Sequence, residues 1–354
     1  MANDRSSRVL LRIAQVAPLY ERVPPRLYGG TERVVSWLTE ELVRRGHEVT
    51  LFASGDSVTR ARLVSPYPRA LRLDPSQPDE VALHMIELAQ VFERARDFDL
   101  VHGHVDYLAF PFQKLVGIPL VHTMHGRLDL RHLLHVFSHF RDVPLVSISQ
   151  QQREPLARLG LNWVATVYHG LPVDDIPFDP GSGSGGYLAF LGRISPEKRP
   201  DLAIQVAKRL GVPLKIAAKV AEADRRYFEH EIRALIDHPL VEFVGELGDE
   251  EKWRFLGEAL CLLFPIDWPE PFGLAMIEAM ACGTPVIARP CGSVPEIIRD
   301  GDVGFLGETV EDLIAAVKRV DVIDRARCRR YVEDRFSVRA MTDSYESVYR
   351  RLAA

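Results

Sequence analysis

The run Glu270-Pro271-Phe272-Gly273-Leu274-Ala275-Met276-Ile277-Glu278, continuing into Ala279-Met280-Ala281-Cys282-Gly283-Thr284-Pro285-Val286-Ile287-Ala288, sets two carboxylates eight positions apart across a helix start. Pro271 and Gly273 fit a helix entry, 275–282 favours helix, Gly283 and Pro285 end it, and 286–288 reads as a short buried strand. Glu270 then precedes the helix and Glu278 lies inside it, about 8 Å along the axis from the free amides of the first turn. Unpaired N–H groups and the positive end of the helix dipole attract anions, so a phosphate can rest at 272–275. Glu278 would then reach a ribose and Glu270 a sugar, the grip that a nucleotide-sugar needs. Either glutamate alone reads better as a first-turn charge or a solvated helix face. The residues around them reverse that reading.

Beside them stands Gly192-Arg193-Ile194-Ser195-Pro196-Glu197-Lys198, a strand-to-helix loop. Arg193 through its planar fork and Lys198 as a point charge suit a departing diphosphate, although the loop alone also reads as two solvated cations. Leu27-Tyr28-Gly29-Gly30-Thr31-Glu32-Arg33 lies before another helix, and its paired glycines let backbone amides approach a ligand closely. A plain turn is the alternative there, and the absence of GxGxxG removes the best support for NAD binding. In His122-Thr123-Met124-His125-Gly126, at a strand end, His125 is expected to project into the cleft and donate a hydrogen bond, with His122 packed in the strand.

Other clusters carry less. His132, His135 and His139 can share a helix face, and His102, Gly103, His104 and Asp106 resemble a metal ligand set, but no cysteine partners either group. Packed or surface histidines are expected, with no metal. Asp97-Phe98-Asp99 precedes a strand away from the cleft and Asp300-Gly301-Asp302 reads as a turn, so both acidic pairs are taken as structural.

These residues need rigid elements behind them. Strand-like runs at 9–16, 49–53, 100–104, 119–125, 145–149 and 164–168 alternate with helical patterns at 31–45, 79–96, 107–116, 128–140 and 151–159. Alternation of this kind predicts a parallel sheet covered on both faces. It restarts after a Gly/Ser stretch with strands at 187–191, 214–218, 240–244, 260–264, 285–288 and 304–306. The expected organisation is a first domain at 1–178, a flexible linker at 179–186 and a second domain at 187–334. The tail, 323–352, reads as helical throughout, with Tyr345, Val348, Tyr349 and Leu352 in one apolar stripe. Ligands bind outside the carboxyl ends of open parallel sheets, so two such domains offer a cleft.

With 354 residues, 47% hydrophobic and 26% charged, and a formal net charge of −5, the chain fits two ordinary cores and makes nucleic acid an unlikely partner. Cys261, Cys282, Cys291 and Cys328 show no metal spacing and read as free thiols. No run approaches a membrane span. A cytoplasmic protein is expected, with peripheral membrane contact through an amphipathic helix left open.

Taken together, Gly29-Gly30, His125, the Arg193/Lys198 loop and the Glu270 to Glu278 block with its Ala279-Met280-Ala281-Cys282-Gly283-Thr284-Pro285 ending resemble the retaining glycosyltransferases of family 4. Pro295-Glu296-Ile297-Ile298, Gly301 and Gly304 continue the pattern, and Tyr28 to Val35 is similar to the avilamycin-type branch. The resemblance implies an α/β GT-B fold, two doubly wound Rossmann-like domains facing across a cleft. The second domain would bind a nucleotide-sugar donor, most often UDP-linked, with no cofactor or metal, and the first would supply most of the acceptor surface. Arg193 and Lys198 would hold the diphosphate, and Glu278 the ribose. Glu270, with the amides around Phe272, Gly273 and Leu274, would bind the sugar, which His125 contacts from across the cleft. The base would lie near Gly245, Glu246 and Leu247, and the last helix, about 335–354, would swing back onto the first domain. The implied chemistry is same-face substitution of a hexose, leaving phosphate oxygen taking the acceptor's proton. An epimerase of the same fold, a non-catalytic nucleotide-sugar binder and a metal-dependent transferase of another fold are the alternatives. The acceptor is unread, and Tyr20, Tyr28, Tyr107 and Arg127 are candidates to contact it.

Overall fold

A computed structural model describes residues 10–181 and 183–353. The expected domain start at residue 1, the strand start at Val9, Ser182 of the linker and Ala354 of the tail lie outside the described residues.

Two parallel sheets carry the molecule. The first contains β1 Arg12–Val16, β2 Glu48–Phe52, β3 Arg62–Val64, β4 Leu100–Gly103, β5 Leu120–Thr123, β6 Leu145–Ser147 and β7 Trp163–Thr166, in the order β3-β2-β1-β4-β5-β6-β7. The second contains β8 Leu188–Arg193, β9 Leu214–Lys219, β10 Val241–Gly245, β11 Cys261–Phe264, β12 Val286–Ala288 and β13 Gly304–Leu306, in the order β10-β9-β8-β11-β12-β13. Strand order reverses between β1 and β4 in one sheet and between β8 and β11 in the other. Crossover helices diverge at such a point and leave a crevice. The loops after β1, β4, β8 and β11 therefore hold the site. The fold is the GT-B arrangement of two Rossmann-like halves.

Helices cover both faces because the strands are apolar on both sides. In the first half they are α1 Gly30–Arg44, α2 Glu80–Glu93 and α3 Leu133–His139. The second half has α4 Pro200–Leu210, a broken segment made of α5 Arg225–Tyr227 and α6 Arg233–Ile236, then α7 Asp249–Glu258, α8 Leu274–Ala281, α9 Val294–Ile297, α10 Val310–Val317 and α11 Arg325–Arg335. The last helix, α12 Val338–Ala353, crosses back: Met341, Tyr345, Val348 and Tyr349 share one core with Leu11, Ile13, Leu38 and Leu42 of the first half. Burying those side chains contributes roughly 2 kcal/mol each, which fixes the end of the chain against α1. At the connector, the Gly185 amide donates to Glu258 O at 3.1 Å and seats its end on the second half.

Several expected elements differ. The helix expected at 107–116 is only a 3-10 turn, Phe110–Lys114, and the one expected at 151–159 is 3-10 throughout, because Pro111 and Pro155 each lack the amide that an α-helix needs. The helix expected over 128–140 starts only at Leu133, after Arg127 has clasped Asp129 at 2.6 Å in irregular chain. Among the described residues of the strand expected over 9–16, Leu10 and Leu11 stay outside β1, which begins at Arg12. The tail is two helices, not one. Leu171 accepts from the Val338 amide at 2.6 Å and donates to Phe336 O at 2.8 Å, so an inter-element contact replaces the helical bonds at Ser337.

Candidate active site

Between the carboxyl ends of the two sheets lies a cavity of about 620 Å³. Its walls include Gly29, Gly30 and His125 from the first half and Arg193, Lys198, Glu246, Leu247, Glu270, Phe272, Gly273, Leu274 and Glu278 from the second. Residues more than two hundred positions apart in the chain are thus brought together. Gly245 is the exception: it closes β10 one residue behind the wall and turns the chain toward Glu246 and Leu247.

The α8 end is built by its neighbours. Gly273 caps α8, and the loop before it is held by Ser293, whose amide donates to Glu270 O at 2.9 Å and whose hydroxyl donates to Phe272 O at 2.8 Å. Gly292 makes that possible: with φ of 59°, any Cβ there would lie 2.3 Å from the Glu270 nitrogen. From across the cleft Gly29, at φ 154°, starts α1, and a Cβ on Gly30 would stand 3.4 Å from Leu274. Two helix N-termini, α1 and α8, thus end on the same cavity, a setting for an anion.

Each glutamate meets a lysine. Lys198, on the turn after β8, pairs with Glu270, whose carboxylate also accepts from Trp268 Nε1 at 3.0 Å. Lys198 Nζ lies 5.0 Å from the Trp268 ring, so the cation is held between a carboxylate and an aromatic face. Glu278 accepts from Lys252 of α7 at 2.7 Å, and Lys252 lies 3.2 Å from Asp249. Arg193 pairs with Glu197 and, at 3.3 Å, with Asp224, and is one-third exposed at the cavity. Arg33 of α1 reaches both carboxylate oxygens of Asp249 at 2.7 Å and joins the two halves beside the cleft. Trp268, Lys252 and Arg33 escaped sequence reading. An aromatic two residues before Glu270 was a usable signal for Trp268; α7 carries no local motif for Lys252, and Arg33, although it closes the Leu27–Arg33 run, gives no hint there of its partner Asp249.

On the opposite wall, His125 lies beyond the end of β5, with Nε2 2.8 Å from His104 Nδ1 and its ring stacked on His169. Burial lowers the His125 imidazole to about 3, so the ring is neutral. Its Nε2 is already engaged by His104. His102 and His104 spend their other ring nitrogens on Tyr349, Thr123 and Gln15 at 2.7–2.8 Å, which is packing chemistry. His122 is buried against Phe110, whereas His132, His135 and His139 are exposed and outside the cavity wall. Asp99 is spent on Arg12, and Asp302 on Arg327 and Arg299. Tyr20, Tyr28 and Tyr107 line the first-half side of the cavity with Arg72 and Asp106. Arg127 is not in the wall but lies over the Trp268 ring at 5.4 Å.

Two Rossmann-like halves with a cationic, glutamate-flanked helix start at their cleft define a GT-B glycosyltransferase. Residues 28–175 match the family described as Glycosyltransferase Family 4 and residues 174–333 match Glycosyl transferases group 1, so the chain is a glycosyltransferase whose two halves carry these two domains. It is 27% identical to the D-inositol 3-phosphate glycosyltransferase of Saccharomonospora viridis, over 98% of this chain and 94% of that protein. In fold it is similar to AviGT4, a glycosyltransferase involved in avilamycin A biosynthesis, with a TM-score of 0.72 and 23% identity, covering 97% of this chain and 98% of that one. It is also similar to Anabaena HepE solved with UDP and glucose, with a TM-score of 0.75 and 16% identity over 97% of this chain and 100% of that one. No helix among the described residues is long and apolar enough to cross a membrane.

Proposed function

We propose that this enzyme moves a hexose from a UDP-sugar to an acceptor hydroxyl with retention of configuration and without a metal ion. One observation carries the reading: Glu270 and Glu278 flank the N-terminus of α8, each against a lysine, and both open on the cavity that the Gly29-Gly30 loop closes. The diphosphate sits at the amides of 272–275, with Arg193 and Lys198 against the oxygens that gain charge as the bond to the sugar breaks. Preorganised cations in a closed cleft stabilise that charge more than water does. Glu278 receives the ribose hydroxyls, Glu270 the sugar hydroxyls, and Glu246 and Leu247 flank the base. The acceptor hydroxyl attacks on the face the diphosphate leaves, and a phosphate oxygen takes its proton, so no side-chain nucleophile is required. The name of the Saccharomonospora relative makes an inositol phosphate the first acceptor to assay, against the wall of Tyr20, Tyr107 and Arg72.

The test is a panel of UDP-, GDP- and ADP-sugars without acceptor, followed by thermal shift and slow donor hydrolysis. A UDP-sugar should stabilise the protein and be hydrolysed, with and without EDTA, to the sugar anomer of the donor. Loss of turnover in EDTA, or inverted product, would overturn the metal-free or the retaining part.

A further inference from the structure

Gln15, fully buried in β1, reaches between two polar branches beneath the cleft. Its Nε2 donates to Tyr349 Oη at 3.1 Å, and its Oε1 accepts from His104 Nε2 at 2.8 Å. His104 Nδ1 in turn lies 2.8 Å from His125 Nε2. Burial holds His104 well below the ordinary imidazole range and His125 at about 3, so at neutral pH each ring carries one proton.

The amide decides where those protons sit. An amide oxygen only accepts, so the His104 proton is on Nε2 and His104 Nδ1 is a lone pair. The proton between the two rings then belongs to His125 Nε2. His125 Nδ1 is left without a proton, buried, and with no hydrogen-bond partner among the described residues, in a ring that lines the cavity. The other branch anchors the amide: Tyr349 Oη lies 2.7 Å from His102 Nδ1, His102 Nε2 is 2.8 Å from Thr123 Oγ1, and that hydroxyl is 2.9 Å from Tyr345 Oη. Reversing the polarity at His125 would require the Gln15 amide, the Tyr349 hydroxyl and the His102 and His104 protons to change together. Such buried chains hold their direction cooperatively.

We propose that Gln15 and His104 are positioning residues that lock His125 in its Nε2–H tautomer, so that His125 Nδ1 accepts a hydrogen bond from a hydroxyl of the transferred sugar. The inference rests on the donor-site reading above and reverses the donating role expected of His125. It also gives α12 a part in the site, since Tyr349 holds the far side of the Gln15 amide.

The direct test is a long-range ¹H–¹⁵N correlation spectrum of the histidine-labelled wild-type protein. It should show His104 and His125 both protonated at Nε2; a proton on His125 Nδ1 would overturn the proposal. Gln15→Met keeps length and removes both hydrogen bonds. It should release the His125 tautomer and lower kcat/KM for the donor about tenfold, with UDP affinity held within about twofold. Gln15→Glu, whose oxygen still accepts from His104 Nε2–H, should restore the tautomer and most of the rate. Across a series of single-deoxy donors, the Gln15→Met loss should vanish for the donor lacking the hydroxyl that Nδ1 receives. An equal loss on every donor would mark Gln15 as merely structural and overturn the proposal. If wild type turns over no UDP-sugar, the transfer reading fails, and the spectrum still decides the lock.

Discussion

Lys252 donates to Glu278 across 2.7 Å between α7 and α8, with each side chain only 7% exposed. A buried pair of this kind is costly to halve, because the remaining charge has no water to turn to. Lys252→Met is expected to lower stability by about 3 kcal/mol in urea unfolding. Adding Glu278→Leu should recover most of that loss by removing the stranded carboxylate. UDP binding, measured on both proteins by calorimetry, should not recover in the double variant.

Lys198 and Arg193 are held differently, and their loss should read differently. Lys198 is fixed by Glu270 and the Trp268 ring, whereas Arg193 is shared between Glu197 and Asp224. Removing either cation by Lys198→Ala or Arg193→Ala should lower kcat roughly 10²-fold or more, as losing one preorganised charge contact does. Trp268→Leu should reproduce part of the Lys198 effect, since it loosens the lysine without deleting it. Steady-state kinetics on the three variants check this; unchanged rates for both alanine variants would remove the assignment.

Arg33 to Asp249 is an ion pair that joins the halves beside the cleft, one guanidinium nitrogen reaching both carboxylate oxygens at 2.7 Å, with Arg33 also donating to Leu27 O at 2.8 Å. Asp249 is half exposed, so the pair contributes about 1 kcal/mol to closure. Asp249→Asn should lower kcat/KM about fivefold and raise the radius of gyration seen by small-angle X-ray scattering. A variant with the same kinetics and dimensions would deny the pair any role in closure.

Glu32 of α1 lines the cavity, and burial raises its carboxyl to about 7, offset in part by the Glu21 amide donating at 3.3 Å. A carboxyl raised in the folded state favours folding while protonated, and that stability is lost as pH rises from the unfolded value near 4.5 through about 7. Glu32→Gln should therefore match wild type in stability near pH 4 and exceed it by about 3 kcal/mol at pH 8. Urea unfolding at the two pH values decides it; a constant difference would place the Glu32 ionisation outside this range.

The sheets were readable because their strands are short apolar runs set off by turn residues, and the α8 block because Pro271, Gly273, Gly283 and Pro285 punctuate it on both sides. What escaped reading depends on contacts distant in the chain. Phe336 and Ser337 continue a helical pattern and break it where Leu171 takes the Phe336 carbonyl and the Val338 amide. β3, Arg62–Val64, is too short to stand out and exists by pairing with β2. The glutamates were placed correctly at the helix start, yet their lysines were not foreseen as partners: Lys198 lies 72 and Lys252 lies 26 residues away in sequence. A histidine at a strand end gives no hint of which nitrogen a neighbour occupies: His125 Nε2 lies against His104, which in turn contacts Gln15 of another strand.

The central claim is that the α8 block binds a UDP-sugar, with Glu278 on the ribose and Glu270 on the sugar, and UDP calorimetry on wild type and Glu278→Gln tests it most directly. The change keeps an accepting oxygen beside Lys252, which retains Asp249 at 3.2 Å as a counterion, and removes the charge that receives the ribose hydroxyls. Wild type should bind UDP, and Glu278→Gln should bind it about tenfold or more weakly, the loss of one charge-assisted hydrogen-bonded contact. Equal affinity in the two proteins would contradict the account.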